Sequence, residues 1–269
     1  MAKRNARSAS PRKASSSKST ALVVDVVAQV ESNFRAVAVP DPVESEITRT
    51  AQATLDAAIT SVNNVLLGMR LSRAIDRELK GTDLRGRIEE SNLDLLRAAV
   101  VFGGAGADAT LKALIKTALH SLLNTDDAVQ RKFTKFVESA LVGAGGHTTS
   151  LLAECLSQPL GPYSKLVERY IQYLTGGSLQ SATEVDNVCG ALGISDTDLR
   201  KRTREGGTLD KMFKARNQMI HELDIDDSRR KRTRKVTEIE SWCKEVLSVS
   251  QEIVNSVARK ESVGPSKWR

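Results

Sequence analysis

Three side chains in one short run carry most of the chemical capacity of this chain. Arg216, Asn217 and His221 fall within Arg216-Asn217-Gln218-Met219-Ile220-His221, in a chain with only three histidines. A guanidinium can neutralise a phosphate through two parallel hydrogen bonds. An imidazole gives or takes a proton near neutral pH. Residues of these types in one cluster suit proton transfer at a phosphodiester, with the guanidinium holding the charge that grows on phosphorus-bound oxygen.

The other constellations are weaker. His120 falls in the row Lys112, Lys116, His120, opposite an apolar helix face, and His147 lies in a glycine-rich stretch. Scattered histidines and cysteines have no metal-ligand spacing, so neither a metal nor a small-molecule cofactor is expected. Gly104-Ala105-Gly106-Ala107-Asp108-Ala109 has the G-x-G-x-x-A form, but a helical pattern follows it where a dinucleotide fold needs a second strand. The run from Gly143 to Thr149 lacks the Lys-Ser/Thr of a phosphate loop. No nucleophile turn is visible.

The elements that must position the three residues are helical. Leu209, Phe213, Arg216, Ile220 and Leu223 step by four and three, which places Arg216 on the apolar stripe of its own helix. A buried guanidinium needs a partner. Either it is ion-paired in the core with Glu222 or Asp224, with His221 at a helix end that favours a cation, or it faces a cleft or an interface that receives an anion. Asn217 and His221, four apart, share the neighbouring face. Thr208, after Gly206-Gly207, is the expected N-cap.

Apolar rows of the same kind run through most of the chain. Leu55, Ile59, Val62, Leu66 and Met69 form one. Leu93, Leu96 and Val100 form another, continued by Leu111, Leu114, Ile115, Ala118 and Leu122 across Gly103-Gly104-Ala105-Gly106. Three glycines there cost about 1 kcal/mol each against alanine; they mark either a loop or a helix whose small residues admit a neighbouring backbone, and of the two a continuous or kinked helix is expected. Further rows are Val129 to Leu141, Tyr163 to Leu174, Val185 to Leu192, and Val236, Ile239, Cys243, Val246, Ser250, Ile253 and Val257. No segment alternates with period two. The fold class expected is all-α, a helical bundle with an added N-terminal helical segment.

The divisions expected are a disordered basic tail over 1–20, an N-terminal helical segment over 21–84, the main helical domain over 85–260 and a C-terminal tail over 261–269. Within the second, Ala21 to Val39 reads as a short helix broken at Pro40-Asp41-Pro42. Cys155, Cys189 and Cys243, an odd count at apolar positions, point to reduced core thiols in a cytoplasmic protein. The longest uninterrupted apolar runs are too short to span a bilayer, so no membrane partner is expected.

The net charge of +7 is concentrated. Residues 1–20 carry six basic side chains and no acid. Residues 229–235 carry six more: Arg229, Arg230, Lys231, Arg232, Arg234 and Lys235. Those twelve charges leave the rest of the chain at −5. The second cluster begins just past His221, and such clusters attract nucleic-acid phosphates. A solvated tail and loop is the plainer alternative.

The run Lys214-Ala215-Arg216-Asn217-Gln218-Met219-Ile220-His221-Glu222-Leu223-Asp224 resembles the Arg-x(4–6)-His signature of the HEPN superfamily, and its RiboL-PSP-HEPN branch in particular. Asp186-Asn187-Val188-Cys189-Gly190-Ala191-Leu192-Gly193-Ile194 and Leu96-Arg97-Ala98-Ala99-Val100-Val101-Phe102 are similar to the same branch. The resemblance covers roughly residues 85–260. It implies an α-helical bundle that forms a homodimer, the motifs of two protomers meeting in one cleft. It also implies metal-independent cleavage of RNA by 2′-hydroxyl attack, giving a 2′,3′-cyclic phosphate, in a toxin or anti-phage defence setting. Carried over, His221 serves as general base or acid, Arg216 stabilises the phosphate, and Asn217 orients the phosphate or His221. Glu222 departs from the glycine common after the histidine and puts activity in question. Two functions therefore stand side by side: an endoribonuclease, and a non-catalytic helical module that binds nucleic acid or a partner protein.

Overall fold

Apolar residues spaced by three and four are turned to a common side by a helix, and helices make up most of the described residues. The computed structural model describes residues 15–80, 89–142 and 162–262. Among them lie nine helices: α1 (Ser15–Asn33), α2 (Arg49–Lys80), α3 (Glu90–Thr125), α4 (Asp127–Val142), α5 (Pro162–Thr175), α6 (Ala182–Ala191), α7 (Thr197–Arg202), α8 (Thr208–His221) and α9 (Val236–Ser262). The only extended pairing among them is an isolated antiparallel bridge between Ile225 and Lys231. The protein is all-α. The break expected at Gly81-Thr82-Asp83, the cap at Thr148 or Thr149, His147, Cys155 and the tail after Ser262 lie outside the described residues.

α2 and α3 pack along each other and supply most of the core. Leu55, Val62, Leu66 and Met69 of α2 are buried with Leu96, Val100, Leu111, Leu114, Ile115, Ala118 and Leu122 of α3. This row is continuous with the buried side of α9 in one hydrophobic cluster. The glycine run does not interrupt α3, and each of three glycines meets a neighbour. Gly103 faces Val246 of α9, Gly104 faces Met212 and Arg216 of α8, and Gly106 faces Ala58 of α2. A β-carbon at Gly106 would fall within the van der Waals shell of the Ala58 methyl. Gly106→Ala is therefore expected to destabilise the protein by about 1–2 kcal/mol, overpacking outweighing the helix-propensity gain. Urea unfolding measures this, and an equal or higher midpoint would contradict the close approach.

α3 passes a length-and-composition criterion that no uninterrupted apolar run meets. Judged by window rather than by uninterrupted run, it is long and apolar enough to cross a membrane, with mean hydropathy 1.4. Half of that window is packed inside the protein, as in a core helix.

α1 begins at Ser15, inside the tail that composition leaves unordered, and ends at Asn33 rather than near Val39. The chain then crosses the bundle without helical bonds, and side-chain amides satisfy its backbone instead. Val37 N–H donates to Asn63 Oδ1 at 2.8 Å and Val43 N–H to Asn255 Oδ1 at 2.9 Å, while Asn255 Nδ2 donates to the Asp41 carbonyl at 2.8 Å. The segment around Pro40 and Pro42 is thereby fastened to α2 and α9.

α9 is buried on more than the one stripe foreseen. Leu247, Gln251, Val254, Asn255 and Ala258 are buried along with Ile239, Cys243, Val246, Ser250, Ile253 and Val257. Trp242 and Val249, expected at the edge, are buried too. α8 runs in the angle between α3 and α9, antiparallel to α3: Gly104 lies at Arg216, and Arg97, two turns earlier, at Asp224.

Candidate functional site

α8 starts at a tight turn and ends at the site. Gly206 takes φ +82°, a left-handed conformation that favours glycine. The N-cap is Gly207 and not Thr208, which is already helical. No side chain caps the helix start; Asp210 instead reaches back, its Oδ2 accepting from Gly206 N–H at 2.8 Å and pairing with Lys214 at 2.8 Å. Burial pushes the Asp210 carboxyl up, but the bonds from Lys214 and Gly206 outweigh it and hold it below the usual range.

The apolar stripe of α8 is buried at its start and surfaces at its end. Leu209 and Phe213 are 1% exposed, Ile220 38% and Leu223 69%. Arg216 stands where the stripe leaves the core. Its Cγ lies 3.5 Å from where a β-carbon of Gly104 would sit, so the absent side chain leaves room for the arginine stem. Its Nη1 donates to Asn217 Oδ1 at 3.1 Å, and its Nε is buried with no hydrogen-bond partner. Burial lowers the guanidinium pKa, with the charge of Asp108 opposing the shift.

Neither of the carboxylates weighed as a core partner for Arg216 serves it. Glu222 turns to Arg232 at 3.1 Å. Asp224, fully buried, accepts from Arg97 Nε at 3.0 Å and from Arg234 Nη2 at 2.7 Å. Arg216 is thus a partly desolvated cation with no ion pair among the described residues. That arrangement is costly unless an anion completes it.

His221 is the last residue of α8 and is exposed, as is Asn217 one turn before it. The chain then reverses through Leu223 and Asp224, both left-handed at φ 54° and 56°. Such non-glycine residues store about 1–3 kcal/mol each and persist only where the surroundings hold them. Asp224 N–H and Glu222 N–H both donate to the Gln218 carbonyl, and Arg232 N–H donates to the Asp224 carbonyl at 2.7 Å. Arg97 extends the clamp, pairing with Glu90 at 3.0 Å and Asp94 at 2.7 Å. Burial would lower its pKa, but bonds from Asp224, Asp94 and Glu90 raise it overall.

The clamp divides the basic cluster. Lys231 pairs with Glu90 at 2.5 Å and Asp94 at 3.3 Å. Arg232 pairs with Glu222, and Arg234 with Asp224 while lying over the Trp242 ring. These three fasten the loop and are not available as a free patch. Arg229, Arg230 and Lys235 are exposed without an ion pair among the described residues. The sequence signals for the clamp were an arginine beside the apolar row of α3 and an acid just beyond a helix end. Their partnership needed the antiparallel register of α3 and α8.

The remaining candidates stay apart from this site. His120 is exposed on the far half of α3. Cys189 and Cys243 are buried free thiols, each pushed by burial up to about 12 and so inert as nucleophiles. No group of three metal-ligating side chains occurs among the described residues. No protein-family model, no curated protein and no solved structure matches this chain.

Proposed function

We propose that the protein is a HEPN-type, metal-independent endoribonuclease acting in the cytoplasm, with Arg216, Asn217 and His221 as its working residues. The observation that carries this reading is Arg216: a partly buried guanidinium without a carboxylate among the described residues, held by Asn217, which lies one turn before an exposed histidine. A phosphodiester supplies the missing anion. The RNA 2′-hydroxyl attacks the adjacent phosphorus, and the bond to the 5′-oxygen breaks, leaving a 2′,3′-cyclic phosphate and a 5′-hydroxyl. His221 takes the proton from the 2′-hydroxyl or gives one to the leaving oxygen. Arg216 binds the non-bridging oxygens as negative charge builds on them.

One histidine fills one of these two roles in a given turnover, so a second protomer completes the site. Apolar surface beside the motif supports that pairing. Phe102 is 47% exposed on α3, and Ile220 and Leu223 emerge on α8, all within the stretch where α3 and α8 are registered by the Gly104 and Asp224 contacts. The Glu222 carboxylate, engaged by Arg232, is drawn away from direct repulsion of a bound phosphate. Arg229, Arg230 and Lys235 extend the positive surface past the end of α8.

An RNA oligonucleotide with one 2′-deoxy position at the cleavage site tests the chemistry. Cleavage at that bond is expected to vanish while neighbouring bonds are still cut. Cleavage that persists there rules out 2′-hydroxyl attack.

A further inference from the structure

The chain is poor in aromatic residues, yet it concentrates them away from α8. All three tyrosines and two of the five phenylalanines form one cluster on α4 and α5. Phe136 lies against Tyr170 at 4.9 Å and Tyr173 at 5.1 Å between ring centroids, and the two tyrosine planes are within 12° of parallel. Tyr170 is buried and anchors the group, whereas Tyr173 is 70% exposed. A core needs no tyrosine ring presented to water in this way. These rings line a groove of about 660 Å³ between α4, α5 and α6, a size that accommodates a small organic ligand.

Charge narrows the ligand. Lys132 and Lys135 line the same groove and have no ion pair among the described residues. The one acid in the wall, Glu184, is turned to the start of α6, where it accepts from Ser181 Oγ at 2.9 Å. An aromatic wall with two free ammonium groups disfavours a cation and suits a planar ring that carries an anion. Asn187, on the outward side of the Asp186–Ile194 run, is exposed in the wall and offers both a donor and an acceptor. Its sequence neighbours Val188, Cys189 and Leu192 are core residues, so the run joins a buried side to one polar residue facing the groove.

We propose that this groove binds a nucleotide unit, with its base stacked on Tyr173 and Phe136 and its phosphate held by Lys132 and Lys135. Stacking on aromatic rings beside a cationic track is how proteins hold unpaired bases with little sequence preference. The nucleotide comes either free or as part of a single strand. In the second case the groove deepens the ribonuclease reading, gripping RNA at a distance from His221.

The test is binding by the full-length protein. Adenosine monophosphate and a fully 2′-O-methylated adenine octanucleotide, which 2′-hydroxyl attack cannot cleave, are titrated separately, with inorganic phosphate as a reference. Nucleotide binding stronger than phosphate binding is expected, with Tyr173→Ala weakening it about tenfold or more and Tyr173→Phe restoring it. Lys132→Gln with Lys135→Gln should lower affinity and reduce the salt dependence of octanucleotide binding by about one in log–log slope. An octanucleotide that binds at least ten times more tightly than the monophosphate identifies a strand-binding groove, and comparable affinities identify a free-nucleotide site. The proposal is overturned if neither probe binds, or if binding is unchanged in both sets of variants. Because no cleavage is read, an inactive protein that still binds through Tyr173 refutes only the ribonuclease reading.

Discussion

Replacing His221 by alanine is expected to slow RNA cleavage by about 10²–10⁴-fold, the range lost when a positioned proton-transfer group is removed. Arg216→Ala is expected to cost about 10²–10³-fold, as for loss of a group that stabilises transition-state charge. The double variant should fall little below the worse single one, because the two act on one reaction step. Neither change strikes at the core. His221 is exposed, and Arg216 has no ion pair to lose among the described residues. Thermal midpoints close to wild type should therefore accompany the loss of rate. Arg216→Lys keeps the charge but not the planar fork, and should remain well below wild type. Cleavage rates within a factor of two of wild type in both single variants would remove these residues from the chemistry.

The second large effect is on stability. Asp224→Ala leaves Arg97 and Arg234 facing each other across a buried position without their shared carboxylate. Breaking a buried ion pair from one side costs about 3–5 kcal/mol. The left-handed pair Leu223 and Asp224 also loses the contact that holds it. Urea unfolding should show a lower midpoint, with the end of α8 loosened and cleavage reduced with it. Asp224→Asn, which keeps the shape and part of the hydrogen bonding, should lose less. A midpoint for Asp224→Ala equal to that of wild type would mean that the clamp does not fasten the motif helix.

The helices were legible because their signal is local. The row of Leu55, Val62, Leu66 and Met69 requires nothing beyond a period near 3.6 to predict a buried face, and it is buried. The passage of α3 through Gly103, Gly104 and Gly106 was legible for a related reason: an apolar period that resumes in phase implies an unbroken helix. The ends of elements were less so. Val37 and Val39 look helical by composition, but their segment is drawn out by Asn63 and Asn255, residues distant in sequence. Thr208 is a favourable cap by type, yet the helix starts at Gly207 with no side-chain cap, and Asp210 fastens the preceding turn at Gly206.

The site shows the same division. The stepping of Leu209, Phe213 and Arg216 put the arginine on the apolar stripe, and it stands half-buried where that stripe leaves the core. The choice of partner could not be read from spacing, since Glu222, Asp224, Arg97, Arg232 and Arg234 offer several pairings of similar local merit. The packing of α3 against α8 selects among them and leaves Arg216 as the cation without a carboxylate. The same packing divides the basic cluster: Lys231, Arg232 and Arg234 are ion-paired in the loop that closes α8, a partnership their spacing alone did not reveal.

The most direct test of the central claim is one cleavage assay on total RNA, with wild type and His221→Ala side by side, each with and without a chelator. The account predicts wild-type fragments ending in 2′,3′-cyclic phosphate, undiminished by chelator, and none from His221→Ala. Cleavage that the chelator abolishes, or that His221→Ala retains, would contradict it.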